Sequence, residues 1–359
     1  SSFNHLVSTG FYNEAVSTSA RFHNEGSTLL TKTPDQGDSL KTWTWAAWVK
    51  RSKLGVERAI WSVGNTSVDF ALFFHTTDQL RVWTTSGAAV YYTSRIFRDV
   101  GSWFHVAITS NNSSPYIRLY INGVLNTDSS FDDRTSVPGG SNLSVNTNAV
   151  HRIGAWNNGG LQYFDGYLAD IYHIDGTAVG ATGGILDEFI EIKNGVCIPK
   201  KYTGSYGSNG YHLEFKQTGT GTASTTTIGA DTSSNNNHYT SSGLDTQDSN
   251  MPDCPENNFA TLNSLTAPGG SLEYKRGNLK ITRGSVDAYS LAMSTLAVKT
   301  GKWYAELRPQ GTITSNNHMV GVCVTNVKDQ SSGDPYLENG QINYVAFGNG
   351  HVDDGGSIN

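Results

Sequence analysis

Residues 42–50 read Thr-Trp-Thr-Trp-Ala-Ala-Trp-Val-Lys, and this stretch decides the fold class. In an extended chain Trp43, Trp45, Ala47 and Val49 fall on one face, whereas a helix would scatter them around its circumference. The same period of two recurs downstream. Phe70, Leu72 and Phe74 alternate with Asp69, Ala71, Phe73 and His75. Phe104, Val106 and Ile108 alternate with His105, Ala107 and Thr109, and Ile117, Leu119 and Ile121 with Tyr116, Arg118 and Tyr120. Asn122-Gly123 follows at once, the strongest short hairpin signal, so Val124 and Leu125 begin a return strand. Tyr167 to Ile174 alternates poorly and reads as a central strand covered on both faces. Only Ile185 to Ile192 has a helical reading, and it is short. Trp43, Trp45, Trp48 and Trp303 are assigned to core or inter-sheet packing.

Composition agrees with an all-β chain. Of 359 residues, 37% are hydrophobic and only 16% charged, while glycine alone contributes 39. Gly, Ser, Thr and Asn supply turns and fill helices poorly. The aromatic content of 11% provides the bulk that sandwich cores need. A net charge of −6 argues against a nucleic-acid surface, which requires a basic stripe. No run of 18 apolar residues occurs, so no membrane-spanning helix is expected. Ser1 to Gly10 lack a basic region followed by an apolar stretch, so no secretion signal is expected there. Cys197, Cys254 and Cys323 are too few and odd in number for a disulfide framework, which suits synthesis in a reducing cytoplasm.

The chain divides into an N-terminal segment 1–19, a sandwich 20–217, a linker or strap 218–256 and a second β domain 257–359. Gly219 to Asn250 is nearly devoid of apolar residues, hence a linker or a strap laid over a surface. After Phe259 alternation resumes in Leu279 and Ile281, in Trp303, Ala305 and Leu307, in Val320, Val322 and Val324, and in Val345 and Phe347. Residues 257–359 end in a polar loop, and the sandwich they resemble (below) usually takes more strands, so the second domain is expected to be incomplete.

Five landmarks in order connect the first domain to a known family. Ala20-Arg21-Phe22-His23-Asn24 opens it, Thr42 to Lys50 is its first long core strand, and Trp103-Phe104-His105-Val106-Ala107 follows. Leu119-Tyr120-Ile121-Asn122-Gly123 is the hairpin, and Phe164-Asp165-Gly166-Tyr167-Leu168-Ala169-Asp170-Ile171 the closing strand. Together they resemble the laminin-G-like branch of the concanavalin A-like superfamily. Gly301 to Leu307 and Val320-Gly321-Val322 resemble the front part of a SPRY domain, itself a concanavalin A-like sandwich. The resemblance implies tandem concanavalin A-like jelly-roll β-sandwiches, the second incomplete. The order of sandwich, Asn-rich strap and second domain is similar to that of structural proteins of marine bacteriophages. That likeness implies a virion protein made in the host cytoplasm: a tail fibre, appendage or capsid-attached decoration. Its partners would be other virion proteins and a host-surface glycan, and fibre analogy implies a homotrimer. The rival readings are a secreted bacterial adhesin or carbohydrate-binding module, and accessory domains of a larger glycan-active enzyme.

No catalytic signature of metalloprotease, nucleophile-elbow or phosphate-loop type occurs, and the chain is read as non-enzymatic. The adjacent acids Asp132-Asp133, Asp187-Glu188 and Asp353-Asp354 would point to opposite faces of a strand and so do not converge on one bond. No cofactor is expected. The resemblance implies calcium at a rim, with Asn65, Asp69 and Asp78 as nominal oxygen ligands, although no loop spacing ties them together. The ten His are scattered without ligand spacing, so zinc is not expected. Sugar binding has more support, because glycans are held by aromatic faces together with amide groups. The loop Ala155 to Tyr163 offers Trp156, Asn157, Asn158 and Tyr163, and Trp83 is a second candidate; the same residues also suit a capping Trp and plain turns.

Overall fold

The computed structural model describes residues 10–65, 69–84, 90–112, 117–128, 143–156, 162–180, 185–265, 272–283, 292–308, 318–323, 342–347 and 352–353. It divides into two units, residues 1–261 with 274–280 and residues 262–273 with 281–359. In chain order the strands of the first unit are β1 (Ala20–Phe22), β2 (Leu29–Lys32), β3 (Trp43–Arg51), β4 (Arg58–Val63), β5 (Phe70–Phe74), β6 (Gln79–Thr84), β7 (Val90–Ile96) and β8 (Phe104–Ser110). They continue as β9 (Ile117–Ile121), β10 (Val124–Leu125), β11 (His151–Ile153), β12 (Gly166–Asp175), β13 (Ile190–Lys193), β14 (Val196–Pro199), β15 (Tyr211–Leu213) and β16 (Thr240–Ser242). One seven-stranded sheet runs β1-β12-β3-β8-β9-β10 with β15 also on β12, and the other runs β16-β2-β11-β4-β5-β6-β7. The fold is all-β and concanavalin A-like.

The period-two faces become the inter-sheet core. Trp43, Trp45, Ala47 and Val49 of β3 face Ile60, Trp61 and Val63 of β4 and Phe70, Leu72 and Phe74 of β5. Trp61 stacks on Trp45 at 5.4 Å between centroids and meets Trp43 edge-on at 5.5 Å. The indole N–H groups of Trp43, Trp45 and Trp61 lack acceptors among the described residues. Each orphan costs about 1–3 kcal/mol. Each ring buries about 150–250 Å², worth about 4–6 kcal/mol at ~25 cal/mol per Å². Burial wins.

The Asn122-Gly123 turn is as its sequence demands. Both residues have positive φ, 50° and 77°, and Ile121 pairs with Val124 across it. Strand β12 is buried along its whole length, as its poor alternation implies. Its second face is covered by the chain itself: Leu186, Phe189 and Ile190 pack over Ala46, Trp48, Ala107, Tyr120, Ala169 and Tyr172. Trp48 is therefore buried on the outer side of its sheet. The helical reading of Ile185 to Ile192 is wrong. Residues from Ile190 onward form β13, paired with β14, and the apolar spacing before it serves to cover a flat sheet.

The polar stretch from Gly219 to Asn250 lies against the sandwich and places its few apolar residues inside. Ile228, Tyr239 and Leu244 join the inter-sheet core, and β16 extends the second sheet by pairing with β2. Side chains replace most of a ladder here. Asp231 accepts from the backbone N–H groups of His212, Ser233 and Asn237, while Asn235 and Asn237 donate to the Gly210 carbonyl. Buried charges complete the attachment. Arg21 donates twice to Asp248, at 2.8 and 3.0 Å. Lys50 Nζ, fully buried, donates to Asp253 at 2.9 Å, Asn258 at 2.8 Å and the Phe259 carbonyl at 2.8 Å.

The chain continues as β17 (Leu262–Asn263), as β18 (Leu272–Lys275) and β19 (Lys280–Arg283), which straddle the division between the units, and as β20 (Met293–Ser294), β21 (His318–Cys323), β22 (Ile342–Phe347) and β23 (Val352–Asp353) of the second unit. Strands β21, β22 and β23 form one antiparallel sheet. Two expectations fail here. Residues 301–308 form no strand, and Trp303 is 63% exposed instead of buried. Among the described residues no strand pairs with that segment, so its alternating face has no partner surface to bury it. Val324 lies outside the described residues.

Truncating Asp253 should strand the Lys50 ammonium. We expect Asp253→Ala to lose about 3–5 kcal/mol in urea unfolding, and Lys50→Met with Asp253→Leu to recover most of it. An Asp253→Ala chain as stable as wild type would refute the attachment.

His23 gives the strap a pH dependence. Its ring lies 3.3 Å from Asp248 and 3.4 Å from Glu25. Burial by itself lowers its pKa, but bonds and charges from those two carboxylates outweigh burial and raise it to about 9 from 6.5. Burial likewise tends to raise Asp248, but His23, the Asp245 backbone and Arg21 hold it below its ordinary 3.8. The His23 contribution is therefore complete below pH 6.5 and lost as pH rises to about 9. The Asp248 contribution is present above its ordinary 3.8 and is lost as pH falls from there through its lowered folded value. Urea midpoints measured against pH should show both limbs, and His23→Gln should flatten the alkaline one.

Candidate functional site

Of the two outer faces of the sandwich, the first is closed by the chain's own Leu186, Phe189 and Ile190. The second carries a separate aromatic cluster. In β4, β5 and β6 the residues outside the core include Ala59, Ser62, Ala71, Phe73, Gln79, Arg81 and Trp83. Register lines them up. Ala59 sits opposite Phe73, Phe73 opposite Arg81, and Arg81 opposite Tyr92 of β7. In the adjoining row Ser62 faces Ala71 and Ala71 faces Trp83. Directly paired residues share a face, so these two rows form one surface.

Trp156 completes it from the loop after β11. Ser62 Oγ donates to the Ala155 carbonyl at 2.8 Å and also to the Trp156 carbonyl, which fixes the chain over the sheet. The Trp156 ring meets Phe73 edge-on at 4.5 Å between centroids and lies 6.2 Å from the Trp83 ring. Ala59 and Ala71 are fully buried beneath, and their small side chains leave the depth that the rings occupy. Trp83 and Trp156 are half-buried, and Tyr92 is 44% exposed. Such a surface offers partly exposed aromatic faces held rigid by close ring contacts.

The sequence candidates separate as follows. Trp83 and Trp156, 73 positions apart, are brought together. Tyr163 is half-buried and, among the described residues, makes no ring contact with either. Asn157 and Asn158 lie outside the described residues. Phe73, Arg81 and Tyr92 were not singled out from sequence. The signal for Phe73 was present, since it falls on the supposedly polar face of the Phe70–Phe74 alternation.

The calcium candidates do not converge. Asp78 is occupied by Arg51 at 3.1 Å, Arg98 at 2.9 Å and the Gly55 N–H at 2.7 Å. Burial raises its pKa, but the Gly55 N–H bond, with Arg98 and Arg51, outweighs burial and holds its carboxyl below the usual range. Asn65 and Asp69 line a different feature, an open polar depression of about 510 Å³ with Asp35, Ser144 and Asn148. Within it Asn65 Oδ1 accepts from the Val150 N–H at 3.1 Å, and Ser144 donates to Asp69 at 2.6 Å. Among the described residues no group of three or more His, Cys, Asp or Glu side chains gathers into a metal site. Among those residues, too, no helix is long and apolar enough to cross a membrane.

Among the described residues, the two-sheet sandwich has one covered and one open outer face. The family profile described as "Concanavalin A-like lectin/glucanases superfamily" matches residues 25–178. No curated protein sequence matches the chain. Among solved structures, the chain is similar to a candidate carbohydrate binding protein from Bacteroides ovatus at 14% identity and a TM-score of 0.42, covering 64% of this chain and 58% of that one. It is similar to a heptameric SAP-like pentraxin from Limulus polyphemus at 14% identity and a TM-score of 0.33, covering 46% and 78%. A Trypanosoma rangeli sialidase gives 15% identity and a TM-score of 0.31, covering 40% of this chain and 22% of that one. These likenesses transfer no residue roles.

Proposed function

We propose that the first unit is a non-catalytic carbohydrate-binding sandwich that holds glycan across the open outer face of its second sheet. The observation that carries this reading is the Trp83–Trp156–Phe73 cluster on an outer sheet face that the described residues leave open. A pyranose presents a C–H face that stacks on indole, while its hydroxyls take hydrogen bonds from polar neighbours. The superfamily profile over residues 25–178 is itself named for lectins and glucanases. The face is built of aromatic, Ala, Ser and Arg side chains, whereas glycoside cleavage takes two carboxyl groups. Binding without turnover fits that chemistry.

Within this reading the protein serves on a bacteriophage particle, as a fibre, appendage or decoration that meets host-surface glycans. Support comes from the order of laminin-G-like sandwich, Asn-rich strap and SPRY-like second domain, which is similar to marine phage structural proteins. A strap fastened by buried ion pairs also suits a sandwich that must withstand proteases outside a cell.

Binding to a glycan array should fall at least tenfold in Trp83→Ala and in Trp156→Ala, the loss expected for about 1.4 kcal/mol or more of stacking. Far- and near-ultraviolet circular dichroism checks that both variants remain folded. Equal binding by folded variants and wild type would remove this face as the site. For the virion placement, immunogold labelling of intact particles should decorate a discrete appendage, and unlabelled particles would overturn it.

A further inference from the structure

Among the described residues, the open face contains a cation without a paired anion. Arg81 stands directly between Phe73 on β5 and Tyr92 on β7, in the row beside Trp83. Its guanidinium lies over the Tyr92 ring at 5.3 Å from the centroid. Its one hydrogen bond runs from Nη2 to the neutral Gln79 Oε1, a long contact at 3.2 Å. Its Nε is buried and makes no hydrogen bond. No carboxylate among the described residues forms an ion pair with it. Its charge is nevertheless felt next door, because after burial it is Arg81 that depresses the pKa of His75.

Other buried arginines are better partnered, and Arg152 gives its Nη1 to the Gly64 and Val150 carbonyls at 2.8 and 3.3 Å. Arg21 has Asp248, Arg51 has Asp78, and Arg58 has Asp165 at 2.8 Å. A partly desolvated guanidinium is costly without a counter-charge, and its planar fork matches a carboxylate or sulfate. The ring beneath orients that fork across the face.

We propose that the aromatic face binds acidic glycans, with Arg81 pairing the carboxylate or sulfate of a uronic-acid, sialic-acid or sulfated sugar whose ring stacks on Trp83 and Trp156. This rests on the carbohydrate-binding reading above and names its ligand class. Arg81 acts as the specificity-determining group, and the indoles supply the affinity common to all sugars.

The test is isothermal titration with matched pairs: tetragalacturonate against its carboxyl-reduced form, 3′-sialyllactose against lactose, and a sulfated galactan oligomer against its desulfated form. We expect wild type to prefer the acidic member of at least one pair by about tenfold, the value of one charge-assisted hydrogen bond. That preference should weaken as salt is raised. Arg81→Gln should collapse the ratio to about one, and Arg81→Lys should keep part of it, since charge remains but the fork is lost. Wild type binding both members of every pair equally would overturn the acidic-glycan inference while leaving carbohydrate binding intact. Wild type binding no member of any pair, in a folded protein, would count against both. A preference that survives in folded Arg81→Gln would move the anion site elsewhere on the surface and overturn the role of Arg81.

Discussion

The first unit depends on cations that the sandwich buries but does not itself neutralise. Lys50 has no solvent exposure, and its carboxylate partner, Asp253, is 203 residues away. Arg21 and His23 wait similarly for Asp248. A buried ammonium or guanidinium without its partner costs several kcal/mol, a large share of the net stability of any domain. The strands from β1 to β15 are therefore not a self-sufficient body with a tail. The sandwich and residues 240–259 stabilise one another, and Trp103 Nε1, which donates to Asp253 at 2.9 Å, ties a third element into the same carboxylate.

Local periodicity made the strands legible, and the same locality hid their completion. Residues 43–49, 70–74 and 117–121 each announce their inward face because pleating repeats every two residues whatever lies opposite. The Asn122-Gly123 turn is equally local, as is Asn194-Gly195, where φ values of 52° and 81° make the matching hairpin between β13 and β14. The strap is different. Its polar residues look like those of a solvated turn, yet besides the local bonds of Asp231 to Ser233 and Asn237, Asp231, Asn235 and Asn237 satisfy backbone groups around 210. The partners around 210 exist only after long-range closure. Ile185 to Ile192 misled for a related reason, since an apolar segment lying flat on a sheet repeats irregularly and can mimic a short amphipathic helix.

The candidate site was legible by residue type and not by position. Trp83 and Trp156 stood out as aromatics in polar surroundings, but their meeting depends on the β4–β5–β6 register, which no window of sequence contains. Phe73 and Arg81 become members of the site only through that pairing. Conversely, Asn65, Asp69 and Asp78 share a residue class without sharing a place, because Asp78 is spent on two arginines. Chemistry read from type alone overstates convergence.

The two outer faces of the sandwich follow one plan, and the comparison constrains what the open one can hold. On the first sheet Ala46, Ala107 and Ala169 form a floor, Trp48, Tyr120 and Tyr172 rise from it, and Leu186 with Phe189 closes over them. On the second sheet Ala59 and Ala71 form the floor and Phe73, Trp83 and Trp156 rise from it. The difference is Arg81. A purely apolar cover like Leu186 and Phe189 would bury that guanidinium with only Gln79 and the Tyr92 ring for company, which is the arrangement that costs most. An occupant matched to the second face would carry both an apolar face for the indoles and oxygen acceptors for the arginine. Sugar rings combine the two within a few ångströms, and acidic sugars do so with the opposite charge.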